Sequence, residues 1–316
     1  MRSATMTDEA LVDEYLAWVD SAQRRTERTV RTYGSVLHLY LAWLATQGLA
    51  LCDVRIPHVE AFGARERTKQ MAQERAGAAT VRKDVVVVRR FHQWAEERDY
   101  GLRRIDTVAV PRVPHREPKP VHDDVWRKVW GSELTREDRL WLGLGYFCGL
   151  RRVEIVTISP HAFDTSAGQA VFQRKGAGIH ALEYRACLNI IDQELPQLTM
   201  GLAEHWLDLL HEVVEERRVL GAQFLWYDAE GHEENDGNRL NKRLDNRIIP
   251  HLGLPPHCIT PHRLRHSCAT NLLRAGMLPE YIAHQLSHSS VNITKGYTKM
   301  SGEMARWWSR EKGRDI

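Results

Sequence analysis

Apolar residues recur at helical spacing through the first hundred positions of the chain. Two stripes come first: Leu11, Tyr15, Trp18, Val19 and Ala22, then Val30, Tyr33, Leu37, Leu41 and Leu44. Pro57 predicts the start of a third helix that runs to about Met71, and Gly77 precedes a fourth that runs to about Arg98. The valine run 85–88 in this last segment has strand propensity. The helical period that continues through Phe91 and Trp94 favours a helix. The sequence therefore predicts a four-helix unit.

A proline-rich stretch separates this unit from the rest of the chain. Residues 111–120 contain four prolines, which block helix and favour extended backbone, together with basic side chains. We predict a domain over residues 1–112, a linker over residues 113–120 and a second domain over residues 121–316.

The second domain combines helical periods with a short region of strand-like alternation. Helices are predicted over residues 121–130, 136–148, 198–218 and 238–249, with a short apolar stretch at 224–227. Residues 170–173 and 181–188 alternate as short strands do, around a glycine-rich turn at 174–178. The predicted fold class is mainly α with a small β-sheet, and neither repeats nor low-complexity segments interrupt it.

Composition is that of an ordinary globular protein and excludes few functions. Of the 316 residues, 43% are hydrophobic and 27% charged, and the net charge of +3 permits nucleic-acid binding without requiring it. No apolar run is long enough to cross a bilayer, and the polar start lacks the apolar region of a signal peptide. The five cysteines form no Cys-x-x-Cys pair and indicate reduced thiols. We expect a cytoplasmic protein associated with the nucleoid.

The segment from Thr260 carries the first candidate chemistry. Thr260 suits an N-cap and Pro261 the first helical position, so His262 and Arg265 share one face of a first turn. A helix N-terminus with a guanidinium and an imidazole suits a phosphodiester. His262 and His266 also have the i, i+4 spacing of zinc ligands, but Arg263 occupies the place of the expected Glu. This disfavours a metal site.

The same segment resembles the second conserved box of the tyrosine recombinases, the phage integrases and Xer-type recombinases. The match consists of His262-x-x-Arg265, then Leu286-Ser287-His288, then Tyr297, with Ser287 where the family usually has Gly.

A first box of that family is matched at Gly149-Leu150-Arg151, followed by Glu154. Arg152 falls on a position that is more often apolar and remains a weaker rival to Arg151. Lys175 matches a lysine that the family carries in a Lys-Gly turn, although a lysine at a hairpin tip is usually solvated surface.

The resemblance implies a fold and a set of catalytic residues. The fold is an N-terminal four-helix core-binding (SAM-like) domain followed by a C-terminal α+β catalytic domain. The implied catalytic residues are Arg151, Lys175, His262, Arg265, His288 and the nucleophile Tyr297, with Glu154 in support. They would cleave and rejoin DNA through a 3′-phosphotyrosyl intermediate, and no metal or other cofactor is expected because arginines neutralise the transition state.

Basic residues outside this set are candidates for DNA binding. They are Arg24, Arg25, Arg28, Arg82, Lys83, Arg89, Arg90 and Arg174. The pairs on the fourth helix lie seven residues apart on one face, which is typical either of a phosphate-tracking groove or of a solvated surface.

The resemblance also implies partners. We expect double-stranded DNA with inverted half-sites and a homotetramer on synapsed DNA, with direction controlled either by the identity of the site or by a separate directionality factor. The first helical pattern begins at Thr7, so no arm-binding domain is expected. Met304, Trp307 and Trp308 form an apolar patch that packs either on its own domain or on a neighbouring protomer.

Several functions remain open at the level of sequence. Within the recombinases these are integration and excision of a phage or mobile element, Xer-type resolution of chromosome dimers, and transposition. A type IB topoisomerase-like enzyme would share the covalent chemistry, and a DNA-binding protein with this fold would lack it.

Overall fold

A computed structural model gives the structure of residues 6–69, 72–75, 77–113, 119–174, 178–227 and 237–286. The chain divides into two compact units, residues 1–115 and 116–316, and each has its own hydrophobic core. This division falls between residues 113 and 120, where the prolines predict the linker.

The first unit contains the four predicted helices. They are α1 (Asp8–Ser21), α2 (Glu27–Thr46), α3 (Ile56–Ala64) and α4 (Ala78–Glu96). The predicted extension of α3 to Met71 is wrong, because two antiparallel strands follow it: β1 (Glu66–Lys69) and β2 (Ala72–Arg75). Between Ala64 and Gly77 the only large apolar residue is Met71, so a longer helix would have no apolar stripe to bury.

The core of this unit settles the ambiguity of the valine run in favour of helix. Val85, Val87 and Val88 are buried on α4, which agrees with helical rather than alternating exposure. Next to them the rings of Phe91 and Trp94 lie 5.4 and 5.2 Å from the ring of Tyr15 on α1. Aromatic packing of this kind joins the first and last helices of the unit.

The described residues of the second unit are mainly helical and include a small antiparallel sheet. Its helices are α5 (Asp123–Trp130), α6 (Arg136–Tyr146), α7 (Arg152–Thr157), α8 (Tyr184–Glu194), α9 (Pro196–Thr199), α10 (Ala203–Val219), α11 (Gly237–Arg243), α12 (Ile249–His251), α13 (Pro261–Arg274) and α14 (Pro279–Gln285). The strands are β3 (Phe163–Asp164), β4 (Gln169–Arg174) and β5 (Gly178–Leu182), in the order β3-β4-β5.

The predicted second strand is too long. It ends at Leu182, and α8 begins at Tyr184. The buried residues of α8, Tyr184, Cys187, Leu188 and Ile191, follow the i, i+3, i+4, i+7 spacing of a helix rather than strand alternation.

Two predicted helices are shorter or less regular than their apolar patterns indicate. The helix predicted from 198 begins only at Ala203, because Met200 and Gly201 have φ of 55° and 72° and break it. The helix predicted over 238–249 contains a π-helical turn, Leu244–Ile248. Pro250 has no N–H to donate to the Asn246 carbonyl, as an α-helix would require. The proline therefore disfavours continuation of a regular α-helix through this segment.

Helix α6 is the support on which the candidate site is built. A Cβ on Gly143 would lie 2.1 Å from Nε1 of Trp206, so α10 can approach α6 only where the side chain is absent. At Gly145 a Cβ would lie 3.1 Å from Leu264 of α13. Close packing on α6 therefore fixes the position of α13, the helix that carries the His-x-x-Arg motif.

Candidate active site

Helix α13 begins as its sequence predicts. Thr260 is the N-cap, its Oγ1 accepts the Arg263 N–H at 3.2 Å, and Pro261 occupies the first turn. The cap leaves His262 on the exposed side of that turn and Arg265 on the buried side. The two motif residues thus emerge from one turn with different environments.

Arg265 is a buried guanidinium held by main-chain carbonyls. Only 4% of the residue is exposed. Its Nη1 donates to the Gly149 carbonyl at 2.6 Å, and its Nη2 donates to the Leu286 carbonyl. Arg265 therefore joins the segment that precedes Arg151 to the segment that precedes His288.

The Gly149 position requires glycine for two reasons. Its φ is +68°, and a Cβ there would lie 2.3 Å from Cδ2 of Leu286 and 3.0 Å from Sγ of Cys268. The same residue supplies the carbonyl that accepts from Arg265. A bend at Gly149 thus brings the two segments that match the family's boxes into contact.

Arg151 is the N-cap of α7 and is oriented by Glu154. The carboxylate of Glu154 accepts the Arg151 backbone N–H at 2.8 Å and the Arg151 Nη1 at 2.7 Å. The backbone contact is the one that an acid three residues into a helix makes in a capping box. Glu154 is 8% exposed, and its Oε2 also lies 3.9 Å from Nη1 of Arg265. One carboxylate therefore lies next to both arginines.

The surroundings of His262 favour the neutral form of its imidazole. Partial burial lowers the pKa of His262, and the charges of Arg265 and Arg151 lower it further. The ring of His266, one turn later, lies 4.2 Å away at a steep angle. Burial, His262 and Arg265 lower the pKa of His266 to about 4. A neutral imidazole next to two guanidinium groups can accept a proton where an anion would bind.

The strand β5 is attached to the end of α14. The ring Nε2 of the buried His180 lies 3.0 Å from the Gln285 carbonyl, one residue before Leu286-Ser287-His288. Within the sheet, His180 is opposite Phe172. The hairpin on which Lys175 falls is thus bonded to the segment that leads to His288. Sequence reasoning did not find this contact, because nothing in the pattern marks His180 as buried.

The structure does not describe every predicted site residue. Lys175, His288 and Tyr297 lie outside the described residues, as do Met304, Trp307 and Trp308. Arg174 is the last residue of β4, opposite Gly178. The site therefore consists, in its described part, of Arg151, Glu154, His262 and Arg265, and the structure brings all four together.

Arg263 has a structural function that the sequence did not indicate. Its guanidinium donates to the carbonyls of His257, Lys119 and Pro120 at 3.0–3.3 Å. The side chain thus fastens the chain that enters α5 to the start of α13.

The predicted DNA contacts of the first unit differ in how far their side chains are already bonded within the protein. Arg24 and Arg25 are exposed before α2, where Nε of Arg25 donates to Oε1 of Gln23 at 3.3 Å, and Arg28 is exposed in the first turn of α2. On α4 the cations are more engaged. Arg82 donates to the Pro111 carbonyl at 3.3 Å, Lys83 lies 3.4 Å from the buried Asp84, and Arg90 donates to the Tyr33 hydroxyl. The DNA-binding role of these residues, and of the half-buried Arg89, stays a prediction.

The described residues also bear on two other classes of site, a metal cluster and a membrane-spanning helix. Among the described residues no three His, Cys, Asp or Glu side chains cluster as metal ligands would. None of the helices in the described part of the chain combines the length and apolar character needed to cross a bilayer.

Sequence profiles decide the family. The profile of the phage integrase family matches residues 128–304, and that of the phage integrase N-terminal SAM-like domain matches residues 12–99. The chain belongs to the phage integrase family. It is a tyrosine-type site-specific DNA recombinase, and the two-part fold class predicted from the sequence is confirmed.

Individual relatives agree with this assignment. The tyrosine recombinase XerC of Escherichia coli is 24% identical over 310 residues, which cover 92% of this recombinase and 91% of XerC. Two solved structures share the fold at low identity. The lambda integrase dimer bound to a COC′ core site has a TM-score of 0.67 at 16% identity and covers 92% of this chain and 77% of that one. The Tn1549 transposon integrase in complex with transposon right end DNA has a TM-score of 0.60 at 17% identity, with coverage of 96% and 99%.

Proposed function

We propose that this recombinase cleaves DNA by attack of Tyr297 on a phosphodiester held by Arg151 and Arg265. The observation that supports this most is the position of Glu154, whose carboxylate contacts Arg151 and lies 3.9 Å from Arg265. It fixes two guanidinium groups next to each other and next to His262. Arginine keeps its charge at all relevant pH and has five donors, so each can bind Glu154 or a carbonyl and still donate to phosphate.

The covalent step is balanced by two proton transfers. His262 takes the proton of the Tyr297 hydroxyl, the tyrosyl oxygen bonds to phosphorus, and the bond from phosphorus to the 5′ oxygen breaks. Lys175 supplies a proton to the departing 5′ oxygen, and His288 donates a hydrogen bond to a phosphate oxygen. The products are a 3′-phosphotyrosyl bond and a 5′ hydroxyl. The roles of Lys175, His288 and Tyr297 rest on the family motif. The lowered pKa of His262 favours the neutral imidazole, which is the form that can act as the base.

The biological reaction that we propose is integration and excision of a phage or other mobile element. The substrate is double-stranded DNA with inverted half-sites, on which four copies assemble in the nucleoid. Direction is set either by the identity of the site or by a separate factor. XerC, the relative named above, supports the alternative of chromosome-dimer resolution. Both reactions use the same site.

A nicked suicide substrate tests the chemistry. We expect wild-type protein to form a covalent adduct that survives a denaturing gel, and Tyr297→Phe to bind the same DNA without forming it. The reaction should continue in EDTA, because two arginines stabilise the transition state. An adduct formed by the Phe variant would remove Tyr297 from this role. Relaxation of supercoiled DNA that lacks paired sites, at the rate of cleavage, would instead favour a topoisomerase.

A further inference from the structure

A cleft of about 320 Å³ lies beside His262. Arg152 and Asn241 line it together with His262 and the start of α13 at Thr260. The cleft is therefore continuous with the site of the proposed base. Among the described residues that line the cleft, Asp245 is the one carboxylate. Its Oδ1 lies 3.7 Å from Nδ1 of His257, which also lines the cleft.

Arg152 differs from the other arginines near the site. Arg151 bonds to Glu154, Arg265 bonds to main-chain carbonyls, and Arg263 bonds to the chain before α5. No such contact is made by Arg152: within the described ranges no carboxylate or carbonyl accepts a hydrogen bond from its guanidinium. A half-buried cation without an acceptor has lost part of its hydration and gains from an anion that replaces it.

Packing fixes the direction of the Arg152 side chain. A Cβ on Gly237 would lie 3.2 Å from its Nε, 3.3 Å from its Cγ and 3.4 Å from its Cδ, so the side chain lies against the backbone at the start of α11. Such contact restricts the rotamers of a long side chain before any ligand binds. The guanidinium is thus held at the cleft rather than left to sample solvent.

We propose that Arg152 binds a phosphate of the DNA strand next to the scissile phosphate. This inference rests on the proposed function. Arg152 directly follows Arg151, which is assigned to the scissile phosphate, and shares a cleft with His262. Both neighbours place it at the level of the sugar-phosphate backbone rather than at the base edges. A planar guanidinium matches two phosphate oxygens, and the charge of DNA repeats along the strand.

The test is the salt dependence of DNA binding. The probe is a duplex selected by the wild-type protein from a pool of randomised sequence, and Tyr297→Phe is used as the background so that binding stays noncovalent. Removing one phosphate contact should reduce the slope of log K against log salt concentration by about one. We expect this for Arg152→Gln, whereas Arg152→Lys, which keeps the charge, should retain the wild-type slope.

Arg127→Gln is the matched control. It removes the same charge from an exposed helix, α5, where the guanidinium already pairs with Asp124. Its slope should equal that of the wild type. An unchanged slope for Arg152→Gln would overturn the inference, and so would a loss of affinity confined to one base pair, which would indicate base recognition. In either case binding and cleavage by the wild type would leave the proposed function intact. A wild-type protein that selects no duplex and forms no adduct would instead refute the proposed function.

Discussion

Glu154 holds Arg151 at two points, the backbone N–H at 2.8 Å and Nη1 at 2.7 Å. The side chain of Arg151 is 43% exposed, whereas that of its acceptor is 8% exposed. Because the Glu154 carboxylate is buried and fixed, it orients the more exposed Arg151 guanidinium before DNA binds. Preorganised charge of this kind is effective in catalysis because little reorganisation accompanies the reaction.

Glu154→Gln should slow cleavage without preventing DNA binding. The amide oxygen can still accept from one donor, but the amide nitrogen meets Nη1 of Arg151 as a second donor. Loss of a hydrogen bond to a charged group corresponds to about 2 kcal/mol, or roughly a thirtyfold lower rate. Single-turnover cleavage measures this, with Glu204→Gln on the exposed face of α10 as control. Equal rates for both variants would show that Glu154 does not position the arginine.

The acid limit of cleavage should lie below pH 6.5. His262 acts as a base only when neutral, and burial, Arg265 and Arg151 lower its pKa from 6.5. Activity should therefore fall at a lower pH than it would with an unperturbed imidazole as the base. Arg151→Gln removes one of the three causes, so its slower reaction should lose activity at a higher pH than the wild type. Single-turnover rates across the acid range give both profiles, and an identical acid limb in the two proteins would contradict the assignment.

Gly149→Ala should impair both stability and cleavage. The substitution introduces strain at φ +68° and places a Cβ 2.3 Å from Leu286, next to the carbonyl that holds Arg265. Gly221→Ala is a matched control, since its φ is +67° and nothing lies within 4 Å of its Cβ. Both variants carry the backbone penalty of about 1 kcal/mol. Only Gly149→Ala should show a larger loss in urea unfolding together with loss of adduct formation.

The first unit should lose stability in mild acid because of His92. This residue is fully buried, its Nδ1 lies 3.1 Å from the Arg103 carbonyl, and its Nε2 lies 3.3 Å from the Tyr40 hydroxyl. Burial lowers the pKa of His92 from 6.5 to about 4, although the bond to Arg103 opposes the shift. The unfolded chain therefore takes up the proton first. The stability is complete above pH 6.5 and is lost as the pH falls toward 4, by up to about 1.4 kcal/mol per pH unit.

Urea unfolding of the full chain at several pH values, followed by tryptophan fluorescence, checks this slope. Trp94, two residues from His92, reports on the same core. His92→Gln should flatten the dependence between pH 6.5 and 4, whereas His38→Gln, on the exposed face of α2, should leave it unchanged. A wild-type slope in His92→Gln would assign the acid sensitivity to another group.

Local signals were enough to predict the start of α13 and the positions of its motif. Thr260 and Pro261 act through neighbouring backbone groups, so their effect can be derived from adjacent residues alone. Glu154 lies against Arg151 for the same reason, because its spacing in the helix is local. Its role in orienting the arginine stays a prediction that the first experiment above checks.

Contacts between distant segments could not be predicted in this way. The pattern around Arg263 is that of a basic helix, and only the fold shows that Lys119 and Pro120 supply its acceptors. The strands β1 and β2 consist of residues with good helix propensity, so tertiary context had to override the local preference. In the sequence Arg152 is only a weaker rival to Arg151 for the predicted catalytic role, and the difference between the two arginines is visible only when the hydrogen-bond acceptors of each are compared.

The bond between His180 and the Gln285 carbonyl limits how this hairpin can change in length. His180 is 6% exposed and the neighbouring Ile179 is 81% exposed, so one face of β5 is buried and the other faces solvent. A single inserted residue within the strand would exchange these faces, burying the position of Ile179 and turning the imidazole outward. Insertions between Arg174 and Gly178 would leave the pairing from Ala170–Leu182 to Phe172–His180 in register. The fold should therefore accept a change in length between Arg174 and Gly178 and reject one within β5, whereas cleavage should also require that Lys175 keep its position.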